Sequence, residues 1–384
     1  MLAYKRLLQL PEKGQHSIFL FGPRGTGKTS WIKEHLPNIL YIDLLETHTY
    51  QEFLSNPSLL QNRIPENFKD WIVIDEIQKI PELLNEVHRL IEKHHYRFLL
   101  TGSSARKLRQ KGVNLLAGRA FQYYMHPLTC EEMGHDFSLK TALTFGLLPF
   151  IYSEGDDPQH YLDSYIATYL REEVQQEGLV RNIGEFARFL QIASFSQGQP
   201  INYSEIAREC AIERRIVSSY FEISNDLLLS RLLPVFSKKA KRRLMAQPKF
   251  YFFDVGVYRA IRPKGPLDTT EEIDGAALET LFLQHLIAFN DYYRLGYAFY
   301  YWRTSNQLEV DFIAYGERGL LAFKIKRKRT ITSKDLTGLK AFANDYPMAK
   351  LYLAHGGDHE EYHGKINVIP FENILFQLKK ILNP

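Results

Sequence analysis

The chain has 384 residues, too many for one ordinary core, so about two to four domains are expected. Hydrophobic residues make up 45% and aromatics 13%, which excludes a disordered chain and indicates a well-packed one. The net charge of +4 is mild. Two distant cysteines, Cys130 and Cys210, argue against a disulfide framework or a cysteine zinc site and fit a reducing cytoplasm. Met1 to Gly14 has no signal-peptide core, and no stretch approaches the roughly 18 uninterrupted apolar residues of a membrane helix. A soluble cytoplasmic protein is the expectation.

Ser17–Phe21 is a short apolar run suited to a buried strand, and Trp31 to Leu36 has helical character. Between them lies Gly22-Pro23-Arg24-Gly25-Thr26-Gly27-Lys28-Thr29, followed by Ser30, a G-x-x-x-x-G-K-[ST] loop without a mismatch. Strand, glycine loop and helix cradle a polyphosphate, because backbone N–H groups converge on it and a helix N-terminus adds its positive end. Lys28 is expected to reach the β- and γ-phosphates of ATP, and the Thr29 hydroxyl to hold Mg²⁺. Gly22, Gly25 and Gly27 let the backbone close on the ligand.

Ile39–Leu44 is the next predicted strand, and Trp71–Asp75 the one after it, ending in Asp75-Glu76. An Asp at a strand's carboxyl end coordinates Mg²⁺ directly or through water, and the neighbouring Glu76 orients and polarises an attacking water. Pro81 opens the helix Glu82 to His94, with Leu83, Leu84, Val87, Leu90 and Ile91 at helical spacing. Arg97–Thr101 is a further buried strand, followed by Gly102-Ser103-Ser104. Thr101 or Ser103 either senses the γ-phosphate and helps place the water, or caps the next helix. With Phe121–His126 as a last strand, residues 1–126 read as a three-layer α/β domain with a mainly parallel sheet and ligand at the strands' carboxyl ends.

Residues 127–182 turn mostly helical, clearest over Tyr161 to Glu173, and read as a lid or connector. Residues 183–246 read as a small helical module of DNA-binding type. Glu185 to Ser194 and Tyr203 to Cys210 are helices, and after a short break Arg214 to Leu228 is a longer one with Arg214 and Arg215 near its start. Leu229 to Phe236 and Lys249 to Phe253 form the strands of a wing. They bracket a run, Ser237 to Lys249, that holds Lys238, Lys239, Lys241, Arg242, Arg243 and Lys249 with no acid. A second basic run carries Lys324, Lys326, Arg327, Lys328 and Arg329. Such runs are either phosphate contacts for DNA or RNA or solvated basic faces, and winged modules in ATPases also serve as lids and protein contacts.

Residues 247–384 begin a new α/β pattern: a helix from Gly275 to Tyr293 containing Glu279, then strands Ala298–Arg303, Glu309–Tyr315 and Leu320–Lys326. A helix, Ser333 to Asp345, and a strand, Lys350–Ala354, follow.

In this order the chain resembles a bacterial and archaeal family of ATPases that joins an AAA-type domain to a C-terminal domain of unknown function, numbered 4143. The landmarks are Gly22–Thr29, Ile74-Asp75-Glu76-Ile77-Gln78, Leu100-Thr101-Gly102-Ser103-Ser104, Leu116-Ala117-Gly118-Arg119 and His126-Pro127-Leu128-Thr129. Phe253-Asp254-Val255-Gly256, Tyr301-Trp302-Arg303 and Glu309-Val310-Asp311-Phe312 complete them. The resemblance implies a P-loop AAA+ fold and Mg²⁺-dependent ATP hydrolysis. It makes Arg119 a candidate γ-phosphate arginine, acting on its own nucleotide or on a neighbour's in a homo-oligomer; the other reading is a surface arginine paired with an acid. It also implies that the C-terminal part is similar to the PD-(D/E)xK, restriction-endonuclease-like nuclease fold, in which two acids hold Mg²⁺ beside a lysine. Asp311 matches the first acid, Lys326 the lysine and Glu279 a supporting acid, but the second acid's position holds Lys324. An ammonium there repels Mg²⁺ and pairs with Asp311, so a lost or crippled nuclease is expected, unless a displaced acid such as Glu309 rescues metal binding.

The expected function is an ATPase acting as a switch or motor with nucleic-acid-facing C-terminal modules. The alternatives are an ATP-dependent nuclease and a slow nucleotide-gated module for a protein partner.

Overall fold

The computed structural model describes residues 4–11, 16–103, 108, 116, 119–152, 157–176, 180, 182–238, 247–265 and 269–383. Ser104, Ala117, Gly118, Lys239, Lys241, Arg242 and Arg243 lie outside them. The chain forms two compact units: Lys5–His126 with Asp226–Leu228, and Met1–Tyr4 with Pro127–Asn225 and Leu229–Pro384.

The first unit is built on five parallel strands, β1 (Ser17–Phe21), β2 (Leu40–Asp43), β3 (Trp71–Asp75), β4 (Arg97–Gly102) and β5 (Ala120–Tyr124), in the order β2-β3-β4-β1-β5. Every residue of β1 is buried, as expected of a strand covered on both faces. The helix Leu83–His94 buries Leu83, Leu84, Val87, Leu90 and Ile91, which recur every three or four residues and so share one face. They join Phe19, Phe21, Ile72, Ile74, Phe98 and Leu100 in one core. The register aligns Phe21 with Gly102, Ile74 with Leu100 and Asp43 with Asp75. The carboxyl ends of β1 to β4 therefore share a rim, the place where open α/β sheets bind ligands.

In the second unit, helices Ile183–Ser194, Tyr203–Cys210 and Arg214–Asp226 are followed by an antiparallel hairpin of β6 (Ser230–Leu233) and β7 (Lys249–Phe252). A six-stranded mixed sheet follows. Its strands β8 (Ala298–Arg303), β9 (Glu309–Gly316), β10 (Gly319–Ile325), β11 (Lys350–His355), β12 (Glu361–His363) and β13 (Ile366–Pro370) lie in the order β12-β13-β11-β10-β9-β8. Strands β8 to β10 run antiparallel, whereas β10, β11 and β13 run parallel. One face packs Val310, Ile313, Ala322 and Leu353 with Leu339 and Phe342 of the helix Thr337–Asp345. On the other, Phe282 of the helix Thr270–Tyr292 meets Phe312, Phe323 and Phe371. Among the described residues no helix is long and apolar enough to cross a membrane.

The landmark Phe253–Gly256 is a clasp. Asp254 is fully buried and caps the helix Val255–Ile261, accepting from Gly256 N (2.8 Å) and Val257 N (3.2 Å). The same carboxylate accepts from Leu147 N at 2.8 Å, which fastens the helix Leu139–Phe145 alongside. Any Cβ on Gly256 would strike the Phe145 carbonyl, so only glycine lets the two backbones approach. Burial pushes the Asp254 carboxyl up to about 6, against the backbone N–H groups that favour its charged form. Replacing Asp254 with Ala removes the cap and strands a buried Leu147 N–H. Thermal unfolding should report a loss of at least about 2 kcal/mol.

Candidate functional site

The loop after β1 leads into the helix Lys28–His35, with Gly25 (φ 80) and Gly27 (φ 90) in the left-handed region that glycine occupies without strain. Gly22 abuts the Met125 carbonyl so closely that a side chain there would displace the backbone beyond β5. Thr26 Oγ1 donates to Pro23 O at 2.8 Å and closes the loop on itself. Arg6, buried and not singled out by the sequence, donates to Thr26 O and His126 O, both at 2.6 Å, and braces the loop from behind. Lys28 is 8% exposed, and its ammonium donates to the carbonyls of Gly22 (2.6 Å) and Pro23 (3.2 Å). Those oxygens compensate the cost of burying the cation and hold it at the loop mouth. Arg24 and Ser30 are exposed.

Across the rim, Asp75 collects hydroxyl donors. Thr29 Oγ1 lies 3.2 Å from its Oδ2, Tyr41 donates to the same oxygen, and Thr101 donates to Oδ1. Burial, then the bond to Asp75, push the Tyr41 phenol above its ordinary range. Thr101 Oγ1 also accepts from Glu76 N at 3.2 Å, so this residue braces both acids at once. Glu76 has φ 59, a left-handed backbone that costs a non-glycine residue about 1 kcal/mol and is characteristic of sites held in place by their surroundings. Its carboxylate accepts from the Gln78 amide, which also lies 3.4 Å from Ser103 Oγ.

The structure thus brings Lys28, Thr29, Asp75, Glu76, Thr101 and Ser103 to one rim. It places Arg119 on an exposed face, where its guanidinium donates to Glu92 of the helix Leu83–His94. An exposed pair of this kind contributes little to stability. Tyr41 and Arg6 carry no motif that a sequence pattern would flag.

The second constellation lies in the C-terminal sheet. Asp311 is fully buried and accepts from Lys324 Nζ at 2.6 Å and Ile325 N at 2.7 Å. Glu309 is held by Lys249 (2.9 Å), Arg303 (3.3 Å) and Lys324 (3.7 Å). Lys249 also faces Glu279 at 3.8 Å, and Tyr251 donates to Glu279 at 2.7 Å. Burial would lower both ammonium groups. The carboxylates outweigh it, Glu279 and Glu309 chiefly at Lys249 and Asp311 chiefly at Lys324, and hold both lysines above their usual range. Glu309, which burial would raise, is instead drawn down to about 2 by Lys249 and Lys324. Glu279 is pushed up to about 7, by burial above all. The Lys326 side chain has no place in this network. Among the described residues no group of three or more His, Cys, Asp or Glu is placed to hold a metal ion.

Most of the described cations of the two basic runs are engaged within the fold. Lys249 is buried in the cluster just described. In the second run Lys324 pairs with Asp311, Arg327 with Asp274 (3.3 Å), Lys328 with Asp335 (3.0 Å) and Arg329 with Asp358 (2.6 Å). Acids distant in sequence neutralise most of that run, so it offers much less free positive charge than its composition suggests.

Strand, glycine loop and helix beside an acid pair at the end of a parallel strand define a phosphate-loop α/β domain. Comparison with known proteins agrees. Residues 14–134 match the family model of an AAA domain, 136–268 a domain of unknown function numbered 8612, and 274–374 the domain of unknown function numbered 4143. The chain therefore joins an N-terminal AAA domain to a C-terminal 4143 domain, the pairing its motifs resemble. Proteins of Mycobacterium bovis and Mycobacterium tuberculosis, both described as uncharacterized, are 26% identical over 368 residues, covering 93% of this chain and 80% of theirs. One of Haemophilus influenzae, described in the same way, is 23% identical over 252 residues, covering 59% of this chain and 62% of its own. The ORC1 protein of Aeropyrum pernix, solved in complex with DNA, aligns over 65% of this chain and 87% of its own at 14% identity and a TM-score of 0.24. That resemblance is too slight to define a fold.

The buried cluster yields a stability prediction. Lys249→Met keeps the volume but leaves Glu309 and Glu279 without their shared cation, so thermal unfolding should show a loss of about 3 kcal/mol or more. Lys249→Arg, which keeps the charge, should lose much less.

Proposed function

We propose that the chain is a Mg²⁺-dependent, ATP-hydrolysing AAA+-type enzyme working as a switch or motor, with nucleic-acid-facing C-terminal modules. The observation that carries this reading is the approach of the Thr29 hydroxyl to the Asp75 carboxylate, at 3.2 Å, beside the Lys28 ammonium and next to Glu76. A hydroxyl and a carboxylate oxygen are the hard donors Mg²⁺ selects, so Thr29 and Asp75 fit that ion as its protein ligands. When bound, the ion would neutralise charge on the β- and γ-phosphates. Backbone N–H groups of residues 22–30 would hold the phosphates, Lys28 would turn from the loop carbonyls to their oxygens, and Glu76 would take the proton of the attacking water.

The C-terminal modules support a nucleic-acid role by their layout. Three helices precede a hairpin, and Gln197 and Pro200 each make an isolated bridge to β7, a layout that supports a winged helix. Arg214 and Arg215, at the start of the third helix, are exposed. In the sheet beyond, helices on both faces of a mixed sheet support a nuclease-like fold, and the Lys324–Asp311 pair supports its being catalytically silent.

ATP turnover with and without DNA or RNA, on the wild type and two variants, tests the reading. Lys28→Ala should weaken ATP binding at least about tenfold, or ~1.4 kcal/mol, in titration calorimetry. Glu76→Gln should bind ATP normally while turnover collapses. Nucleic acid should stimulate the wild type, with binding that weakens steeply as salt rises. Slow turnover indifferent to nucleic acid would instead favour a protein-interaction module.

DNA and RNA should stay intact in Mg²⁺ or Mn²⁺ under conditions in which ATP is hydrolysed. Cleavage that disappears in Asp311→Ala would make the ATP-dependent nuclease the better reading.

A further inference from the structure

Gln78 stands two residues beyond the acid pair, in the short 3-10 turn Ile77–Lys79, and is 7% exposed. Its amide donates to Glu76 Oε2 and lies 3.4 Å from Ser103 Oγ, at the end of β4. A carboxylate only accepts hydrogen bonds, so the atom turned toward Glu76 must be the amide nitrogen. The amide oxygen then faces the other way, and Gln78 Oε1 is buried without a hydrogen-bond partner among the described residues. An unsatisfied buried carbonyl is unfavourable, and a methionine would fill the same space without one. What glutamine adds over methionine here is its amide contact with Glu76 and Ser103.

We infer that Gln78 is the positioning residue of the hydrolytic site. Its amide occupies Glu76 Oε2 and leaves Oε1 turned to accept the proton of the attacking water, while the contact with Ser103 ties that orientation to the end of β4. The inference rests on the ATP-hydrolysing reading above. In the step it serves, the water oxygen bonds to the γ-phosphorus and the bond to the β,γ-bridging oxygen breaks with its electron pair. The water's proton passes to Glu76 and then to the released phosphate, and the products are ADP and inorganic phosphate. Gln78 keeps its own protons throughout.

The test compares the full-length wild type with Lys28→Ala, Glu76→Gln, Gln78→Ala and Gln78→Met, by steady-state ATP hydrolysis, ATP titration calorimetry and thermal melting. Gln78→Met preserves the buried volume, so it guards against a folding defect in the alanine variant. Gln78→Met should melt with the wild type and bind ATP within about twofold of it, yet lose at least about tenfold in kcat with little change in KM. A merely structural role would move the melting temperature and the affinity and spare the turnover of the folded protein. Gln78→Met that turns over at or above the wild-type rate, while Glu76→Gln is inactive, overturns the inference and leaves the ATPase reading standing. A wild type no faster than Lys28→Ala overturns both.

Discussion

The rim of the N-terminal unit depends on one buried carboxylate. Asp75 is 5% exposed, and a charge that deep needs donors. It finds them in hydroxyls from the helix after the glycine loop, from β2 and from β4. Three separate pieces of chain thus converge on one side chain, and the loop's position relative to Glu76 follows from that. All the donors are neutral. Exchanging one of them for another donor would leave no ammonium or guanidinium stranded.

The C-terminal cluster answers the same physical demand differently. Asp311 is also buried and Glu309 partly so, but lysine and arginine satisfy them. Here the counter-charge belongs to the fold. Displacing it would strand an ammonium in a poorly solvated place, a cost of several kcal/mol. Two carboxylate sites in one chain are thereby satisfied in opposite ways, one by neutral hydroxyls and the other by cations.

Much of this was legible in the sequence where chemistry is local. The loop Gly22–Thr29, the apolar strand ending in Asp75-Glu76, and the amphipathic helix after Pro81 depend on neighbours within a few residues, and each stands where its pattern places it. The pairing of Lys324 with Asp311, expected from charge at a position that the family resemblance marked, is present. Other features depend on residues far apart in the chain. Nothing near Tyr41 announces Asp75, 34 residues away, and nothing near Lys249 announces Glu309, 60 residues away. Lys249 accordingly read as one more surface cation, whereas it is among the most buried residues in the chain. The strand Ile366–Pro370 is too short to show a period, whereas the helix Phe371–Leu382, with Phe371, Ile374, Leu375, Leu378, Ile381 and Leu382 at helical spacing, was legible and went unread.

The hairpin strand β7 carries Lys249 and Tyr251 on one side, two residues apart, and both are fixed to acids of the C-terminal layers. The segment after β6 is stitched to β8 as well, through Phe236 N to Tyr301 O (2.7 Å) and Tyr301 N to Pro234 O (3.0 Å). Hairpin and sheet are therefore fastened at two places, so separating them would break ion pairs and backbone hydrogen bonds together.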